Sequence, residues 1–259
     1  MDSVSRTSKC VLGVRVDRVS RVELVAAATS AAASGHRCRF MYANVHVLNT
    51  AYRDMNLRAI FNRAHLVYCD GAGVKLAARL LGYSLPERMT GADWIYDLCV
   101  ACQEAGMPLY FLGGEPGVAE QAAAVLKSRY PGLRIVGTHH GHFPQAGPEN
   151  EAIIAEINNL RPGILLIGLG TPLQEQWIDS YFDRLNVPVV WAVGALMDFV
   201  AGKAHRGPRW MLDHGLEWLY RLWLEPGRLG RRYLVGNPLF FWRVLCQRYS
   251  HVKGVSGEN

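Results

Sequence analysis

Polar residues follow several apolar, β-branched runs of the sequence at the points where these runs end. Asp70 comes directly after the run that ends at Cys69, and Asn44 follows the run that ends near Tyr42. An aspartate in this position is either a turn residue or a general base that removes a proton from an acceptor hydroxyl. Spacing alone slightly favours the turn, so both interpretations stay open.

Two glycine-rich turns follow other apolar runs. Gly113 and Gly114 form the first turn, and Gly168 and Gly170 form the second. Glycine lets the backbone approach a ligand closely, and the free N–H groups of a following helix bind anions. The dinucleotide-binding pattern is incomplete, because Leu173 occupies its third glycine position. Two such turns at one sheet edge favour a nucleotide or a sugar phosphate.

The segment after Gly170 resembles a helix start. It predicts Thr171 as the N-cap, Pro172 at the first helical position and a Gln174 side chain that reaches back to the cap. This interpretation leaves Glu175 unexplained and does not exclude a ligand contact of Gln174. Asp198 is either a further turn residue or a hydrogen-bond partner for a ribose or sugar hydroxyl.

The histidines of the segment 139–142 do not predict a metal site. His139 and His140 point to opposite sides if the strand continues, and no carboxylate cluster accompanies them or His142. The chain also contains no Asp-x-Asp pair that could hold a divalent ion against a diphosphate. We therefore expect no metal and no cofactor, with helix N-termini and arginines such as Arg88 and Arg206 meeting anionic charge.

The alternation of short apolar runs with helical patterns predicts an α/β fold. We expect a Rossmann-like, mostly parallel sheet that is covered by helices on both faces, with a C-terminal helical appendage. The core should span residues 1–205, and the basic, aromatic appendage should span 206–259. The predicted strands are 11–16, 38–42, 65–69, 108–112, 134–136, 163–167 and 188–193. The predicted helices include 21–34, 73–81, 91–105, 118–129, 149–160 and 172–185.

The net charge of +6 comes from the C-terminal fifth of the chain. Residues 203–259 contain ten lysines and arginines against four acids, together with four of the seven tryptophans. Arginine interleaved with aromatic residues is typical of an anionic lipid surface or a polyphosphate site. Ordinary packing of the aromatics explains the composition equally well, and we do not expect nucleic acid as the partner.

Six scattered cysteines form no disulfide framework, and no secretory signal opens the chain. Cys99 and Cys102 lie in a helical pattern and are expected to pack in the core. We expect a reducing, cytoplasmic location, with peripheral contact to the inner face of the plasma membrane. No apolar run reaches the roughly 20 residues that cross a bilayer. The aromatic C-terminal segment leaves room for a homo-oligomer.

Many spaced blocks over roughly residues 10–245 resemble the WecG/TagA/CpsF glycosyltransferases. The blocks include Asp70-Gly71, Glu87-Arg88 with Thr90-Gly91, Leu112-Gly113-Gly114, Gly168-Leu169-Gly170-x-Pro172-x-Gln174-Glu175, Val193-Gly194 with Asp198, Arg206-x-Pro208, Leu216-Glu217-Trp218, Glu225-Pro226-x-Arg228 and Arg232-Tyr233.

The resemblance implies a Rossmann-like enzyme that inverts the anomeric carbon without a catalytic metal. The implied donor is a UDP-sugar carrying N-acetylmannosamine, a hexose or a uronate, and the implied acceptor is a sugar on polyprenyl diphosphate. Asp70 matches the proposed base, with Asn44 and Arg88 beside it. Arginines of the appendage would close over the diphosphate at the membrane: Arg206, Arg221, Arg228, Arg231 and Arg232. Tyr42 departs from the threonine that many members carry.

The resulting hypothesis is a single displacement at the anomeric carbon. The backbones of the two glycine turns would cradle the nucleotide, with Gln174 and Asp198 as hydrogen-bonding partners. A nicotinamide-dependent oxidoreductase is disfavoured. Such enzymes carry an Asp or Glu that hydrogen-bonds the cofactor ribose, and none is evident about 20 residues beyond Gly113 or Gly168. A non-catalytic lipid- or nucleic-acid-binding module is the other alternative, and Asp70 at a strand end argues weakly against it.

Overall fold

The computed structural model describes residues 7–205 and 207–255. Six parallel strands form one sheet in the order β4-β3-β8-β7-β5-β6, and β1 and β2 form a separate antiparallel pair. In chain order the strands are β1 (Ser8–Val11), β2 (Val14–Asp17), β3 (Cys38–Ala43), β4 (Leu66–Cys69), β5 (Leu109–Gly113), β6 (Ile135–His139), β7 (Ile164–Gly168) and β8 (Val189–Ala192). The predicted parallel α/β architecture is confirmed.

Helices cover both faces of this sheet, because its central strands are apolar on both sides. The helices are α1 (Arg21–Ser34), α2 (Val45–Arg53), α3 (Met55–Arg63), α4 (Ala72–Leu80), α5 (Gly91–Glu104), α6 (Val118–Arg129), α7 (Pro148–Leu160), α8 (Leu173–Tyr181), α9 (Leu196–Val200), α10 (Arg209–Asp213), α11 (Glu217–Leu224), α12 (Pro226–Gly230) and α13 (Gly236–Val255). Short 3-10 and π-helical turns follow α8 and α12 at Phe182–Arg184 and Arg231–Val235.

The prediction of one strand over 11–16 is wrong. The chain instead turns back at Leu12 and Gly13 to form a hairpin, in which Val11 pairs with Val14. Leu12 and Gly13 have φ values of 52° and 86°, the left-handed conformation that two-residue hairpin turns require. Leucine is uncommon there, so this sequence carries no clear turn signal. The hairpin is tied to the sheet by Asp17, which accepts a hydrogen bond from the Val67 amide.

Helices α2 and α3 are additional to the helices that the sequence predicts. Each is capped by a side chain: Asn44 accepts the Val47 amide, and Asp54 accepts the Leu57 amide. Such caps typically stabilise a helix by about 1 kcal/mol. Asn44 therefore has a structural role in addition to its position at the end of β3.

An aromatic cluster joins α5 to the sheet. The Trp94 and Trp191 rings stack with their centroids 4.1 Å apart, and Tyr68 packs edge-on against both. Cys99 and Cys102 lie on the same helix and are fully buried, which confirms that they belong to the core. The cluster fixes β4, the strand that ends immediately before Asp70.

The C-terminal helices contact different parts of the core. Helix α13 packs against α2 and α4 and buries Phe240 and Val244. Gln247 donates to the Cys10 carbonyl and accepts the Leu12 amide, so this helix also holds the hairpin. Among the described residues, no helix combines the length and apolar character needed to cross a bilayer.

Candidate active site

Asn44 and Asp70 meet at the carboxyl ends of the neighbouring strands β3 and β4. The Asn44 Nδ2 group donates to Asp70 Oδ2 at 3.0 Å, while Asn44 Oδ1 caps α2. The Asp70 amide donates to the Ala43 carbonyl at 2.9 Å and extends the strand pairing by one residue. The carboxylate is therefore held in a defined orientation, on a residue that is partly buried.

The environment of Asp70 suits proton transfer near neutral pH. Burial raises the pKa of Asp70 to about 6, although the Asn44 hydrogen bond favours the charged form. The Glu217 charge raises this pKa further, whereas the Arg221 and Arg232 charges lower it. A carboxyl group with a pKa near 6 is ionised at pH 7 and still binds a proton readily.

The C-terminal segment brings two arginines to Asp70. Arg221 lies on α11, with its guanidinium 5.6 Å from the Phe199 ring centroid. Arg232 lies in the π-helical turn after α12; its Nε is buried and has no hydrogen-bond partner within the described part of the chain. Burial and the Arg221 charge lower the pKa of Arg232. Both guanidinium charges act on Asp70 and on each other, and positive charge concentrated in this way favours an anion.

Arg88 anchors this segment and does not reach Asp70 through any hydrogen bond described for it. Its Nη2 donates to the Leu212 carbonyl at 2.9 Å, and its Nη1 lies 3.6 Å from Glu217 Oε2. Asp93, at the start of α5, lies 4.0 Å from the same Nη1 atom. Arg88 thus joins the core to α10 and to α11, the helix that carries Arg221.

The predicted glycine turns hold strand ends together. A Cβ atom on Gly113 would lie 2.4 Å from the Gly168 carbonyl oxygen, and a Cβ on Gly168 would lie 2.4 Å from the Gly194 oxygen. These contacts between β5, β7 and β8 require glycine whether or not a ligand binds. The Gly114 amide donates to the Gly168 oxygen, while Gly170 faces open space with a φ of 78°. Gly170 therefore has the room that a ligand contact needs.

The predicted capping box at α8 is wrong. Pro172 occupies the N-cap position, and no side chain caps the helix. Gln174 points into the protein, where its Nε2 donates to Tyr42 Oη at 3.0 Å and to Glu175 Oε1 at 2.7 Å. Its Oε1 accepts the Gly194 amide at 3.1 Å. Gln174 is fully buried and connects the ends of β3, β7 and β8.

Glu175 is a buried carboxyl group beside this amide. Its Oε1 also accepts from Thr171 Oγ1 at 3.0 Å, whereas Oε2 is buried and has no hydrogen-bond partner within the described residues. Burial raises the pKa of Glu175 to about 7 and is the dominant cause. Burial also raises the pKa of Tyr42, and the Glu175 charge adds to this shift. The carboxyl group therefore changes protonation near pH 7 within a buried hydrogen-bond network.

Asp198 and Arg228 belong to a second group of interacting charged residues. Burial raises the pKa of Asp198, Glu115 raises it further, and Lys203 and Arg228 oppose the shift. Arg228 is exposed and pairs with Glu225. Arg231 is also exposed, and Arg206 lies outside the described residues. Of the predicted diphosphate arginines, the structure therefore brings Arg221 and Arg232 to Asp70.

Comparison with known proteins identifies the family. The model of the glycosyl transferase WecG/TagA/CpsF family matches residues 9–254. The chain belongs to this family.

Relatives of this WecG/TagA/CpsF glycosyltransferase match over nearly their whole length. Proteins from Staphylococcus aureus strains NCTC 8325 / PS 47 and COL are each 28% identical over 244 residues, which cover 93% of this chain and 93% of theirs. Both are named N-acetylglucosaminyldiphosphoundecaprenol N-acetyl-beta-D-mannosaminyltransferase. The resemblance read from the spaced motifs is confirmed.

The sequence did not assign a role to three residues that lie at the candidate site. Glu217 interacts with both Arg88 and Asp70. His46, in the first turn of α2, has its pKa lowered to about 4 by burial and by Arg232. Tyr42 is nine-tenths buried and accepts the Gln174 amide. Glu217 and Tyr42 carried a sequence signal, because Glu217 belongs to one of the family blocks and Tyr42 replaces a smaller residue of another.

Proposed function

We propose that this protein transfers a sugar from a UDP-sugar to a sugar on polyprenyl diphosphate, with inversion and without a catalytic metal. The product would enter the synthesis of a cell-surface polysaccharide or an exopolysaccharide. The observation that carries the proposal is the placement of one carboxylate, Asp70, beside two arginines, Arg221 and Arg232, at the carboxyl edge of a parallel sheet. A base next to an anion site is what displacement of a diphosphate needs.

In this mechanism Asp70 accepts the proton of the acceptor hydroxyl. The oxygen then forms the new bond to the anomeric carbon, and the bond from that carbon to the diphosphate breaks with its electron pair leaving on UDP. Asn44 holds the carboxylate through its 3.0 Å hydrogen bond. The single displacement inverts the anomeric carbon, and the proton leaves Asp70 to solvent afterwards.

The leaving diphosphate would lie against Arg221 and Arg232. Their positive charges stabilise the developing negative charge on UDP, and positioned groups of this kind typically contribute about 10²–10³-fold in rate. Arg88 contributes indirectly, because its contacts with Leu212 and Glu217 hold the segment that carries Arg221. Arg228 and Arg231, which are exposed, would act at the outer, membrane-facing side. Arg206, outside the described residues, would add to the positive charge for the diphosphate.

The nucleotide would bind along the turns after β5, β7 and β8. Gly170 faces open space at the start of α8, and Gly114 stands before α6. Helix N-termini present free amides to a phosphate. Gln174 and Glu175 support the floor of this region, and Asp198 offers a carboxylate to a ribose or sugar hydroxyl.

Because the proposed acceptor is attached to a lipid, we expect an anionic membrane surface to be a partner. Exposed apolar residues concentrate on the C-terminal helices: Trp210, Leu219, Trp223, Leu224, Leu234, Val235, Trp242, Leu245 and Tyr249. Trp223 is 76% exposed and Trp242 is 66% exposed. Exposed indoles together with arginines suit peripheral binding at lipid headgroups. The residues 206–235 would then join the core site to its lipid-linked substrate.

N-acetylmannosamine is the first donor sugar to test, because the two staphylococcal relatives are named for its transfer. The assay uses the full chain, UDP-N-acetylmannosamine and N-acetylglucosaminyl-diphosphoundecaprenol in phosphatidylglycerol vesicles. We expect transfer by the wild type and a loss of about 10²–10⁴-fold in Asp70→Asn, with unchanged affinity for UDP.

Asp97→Asn is the matched control, because Asp97 is a half-exposed carboxylate that pairs with Arg21 on the outer surface of α5. It should transfer sugar at the wild-type rate. Binding of NAD in place of UDP species, or full transfer by Asp70→Asn, would contradict the proposed function.

A further inference from the structure

We propose that His139, His140 and Glu149 form a binding site for one zinc-type transition-metal ion at the edge of the sheet. This site goes beyond the proposed transferase function, whose steps do not use it. One ligand atom from each residue lies within 4.8 Å of the other two. Two imidazoles and one carboxylate are a common zinc-binding set, with water in the fourth position.

The histidines come together because β6 ends at His139. Strand alternation therefore does not extend to His140, and the two ring centroids lie 4.5 Å apart. The expectation that these side chains point to opposite sides does not hold. Neighbouring ligand atoms around a tetrahedral zinc ion are about 3.3 Å apart, so small side-chain rotations would close the site.

Hydrogen bonding prepares His139 as a ligand. Its Nδ1 lies 2.8 Å from the His140 carbonyl oxygen, and a carbonyl only accepts, so Nδ1 carries the proton. The lone pair of the neutral ring is then on Nε2. Metal-binding histidines usually make this kind of bond to a backbone carbonyl, which fixes their tautomer and orientation. The buried Phe143 ring packs edge-on against His139 at 5.6 Å and holds the ring further.

His140 supplies an independent indication of a ligand. Its Nδ1 atom is buried and has no hydrogen-bond partner within the described residues. A buried ring nitrogen without a partner is unfavourable, and coordination of a metal through this same Nδ1 atom would offset that cost. Glu149 is exposed in the first turn of α7, so its carboxylate can rotate towards the two rings.

The position of the cluster indicates a structural role. Strand β6 and strand β4 lie at opposite edges of the six-stranded sheet, about 24 Å apart at the usual strand spacing. The ion would therefore be remote from Asp70. Gly141, next to His140, donates its amide to the Gly114 carbonyl at 2.7 Å. Metal binding would brace the 139–149 loop against the first glycine turn.

A second group, His36, Cys38 and His65, has similar spacing but a less favourable environment. The His65 Nδ1 atom already accepts the Arg39 amide at 3.1 Å. The nearby charges of Arg15 and Arg39 oppose positive charge on His65. These arginines would also repel a metal cation, so this group serves as the comparison in the test.

The test is calorimetric titration of the EDTA-treated full chain with Zn²⁺ at pH 7.5. We expect one zinc ion per chain and a raised Tm, with affinity at least about tenfold lower in His139→Ala and in Glu149→Gln. His142→Ala removes an exposed histidine of the same loop and should bind zinc as the wild type does.

Circular dichroism of each variant separates loss of a ligand from loss of folding, and Glu149→Gln changes only an exposed side chain. Zinc binding of wild-type strength in both His139→Ala and Glu149→Gln would overturn the proposal. So would a single zinc site that is lost in Cys38→Ser, which would place the ion at the other cluster.

Discussion

Two regions of the carboxyl edge of the sheet differ in the groups that form them. At β3 and β4, titratable side chains meet the arginines of the C-terminal segment, as shown by the Asn44–Asp70 hydrogen bond and the Arg232 charge. At β5, β7 and β8, glycine backbones touch each other, and a buried network around Gln174 supports them. The first region can lose function without unfolding, whereas the second cannot change without disturbing the sheet.

The largest expected effect is on stability, in Gly113→Ala. The new Cβ would meet the Gly168 carbonyl oxygen at 2.4 Å, and the φ of 149° adds backbone strain. Because the obstacle is backbone, we expect the free energy of unfolding to fall by about 3 kcal/mol or more in urea titrations. Gly227→Ala, whose Cβ meets nothing within 4 Å, is the control and should be nearly neutral. Equal stability of the two variants would remove the distinction between the regions.

Arg232→Ala should show the reverse pattern. We expect transfer to slow by about 10²–10³-fold, because one of the two cations facing the leaving group is lost. Stability should be unchanged or slightly higher, since burial already disfavours this charge and its Nε is unpaired within the described residues. Single-turnover assays and thermal melts measure the two effects. Arg248→Ala, an exposed arginine on α13, is the control. A folding defect without a rate defect would place Arg232 in the structural region.

Glu175→Gln should change how stability depends on pH. Burial raises the pKa of Glu175 from 4.5 to about 7, so between these values the folded state keeps a proton that the unfolded state releases. Folding stability from this group is therefore complete below about pH 4.5 and is lost as the pH rises through 7. Glutamine stays neutral throughout. The Tm of the variant minus the Tm of the wild type should therefore increase between pH 5 and pH 8. A constant difference in Tm over this range would show that Glu175 is ionised when folded.

The sequence predicted the sheet and the position of Asp70 because both depend on local patterns. Apolar runs define β3 to β8, and the residue after each run marks the functional edge. It did not predict the packing of glycine against glycine, since that depends on the strand order β8-β7-β5. For the same reason Gln174 was assigned to a cap, although its partners Tyr42 and Gly194 lie 132 and 20 residues away in sequence. Contacts between distant segments leave no periodic signal.

The most direct test of Asp70 as the base is the pH dependence of kcat/KM for sugar transfer. Burial raises the pKa of Asp70 to about 6, so the active, ionised form is lost as the pH falls through that value. We expect kcat/KM to be level above about pH 7 and to fall about tenfold per pH unit well below 6. In Asp70→Asn the remaining activity should lack this step. A wild-type profile that stays flat from pH 5 to pH 8, or a step near 6 that persists in Asp70→Asn, would contradict the assignment of Asp70 as the base.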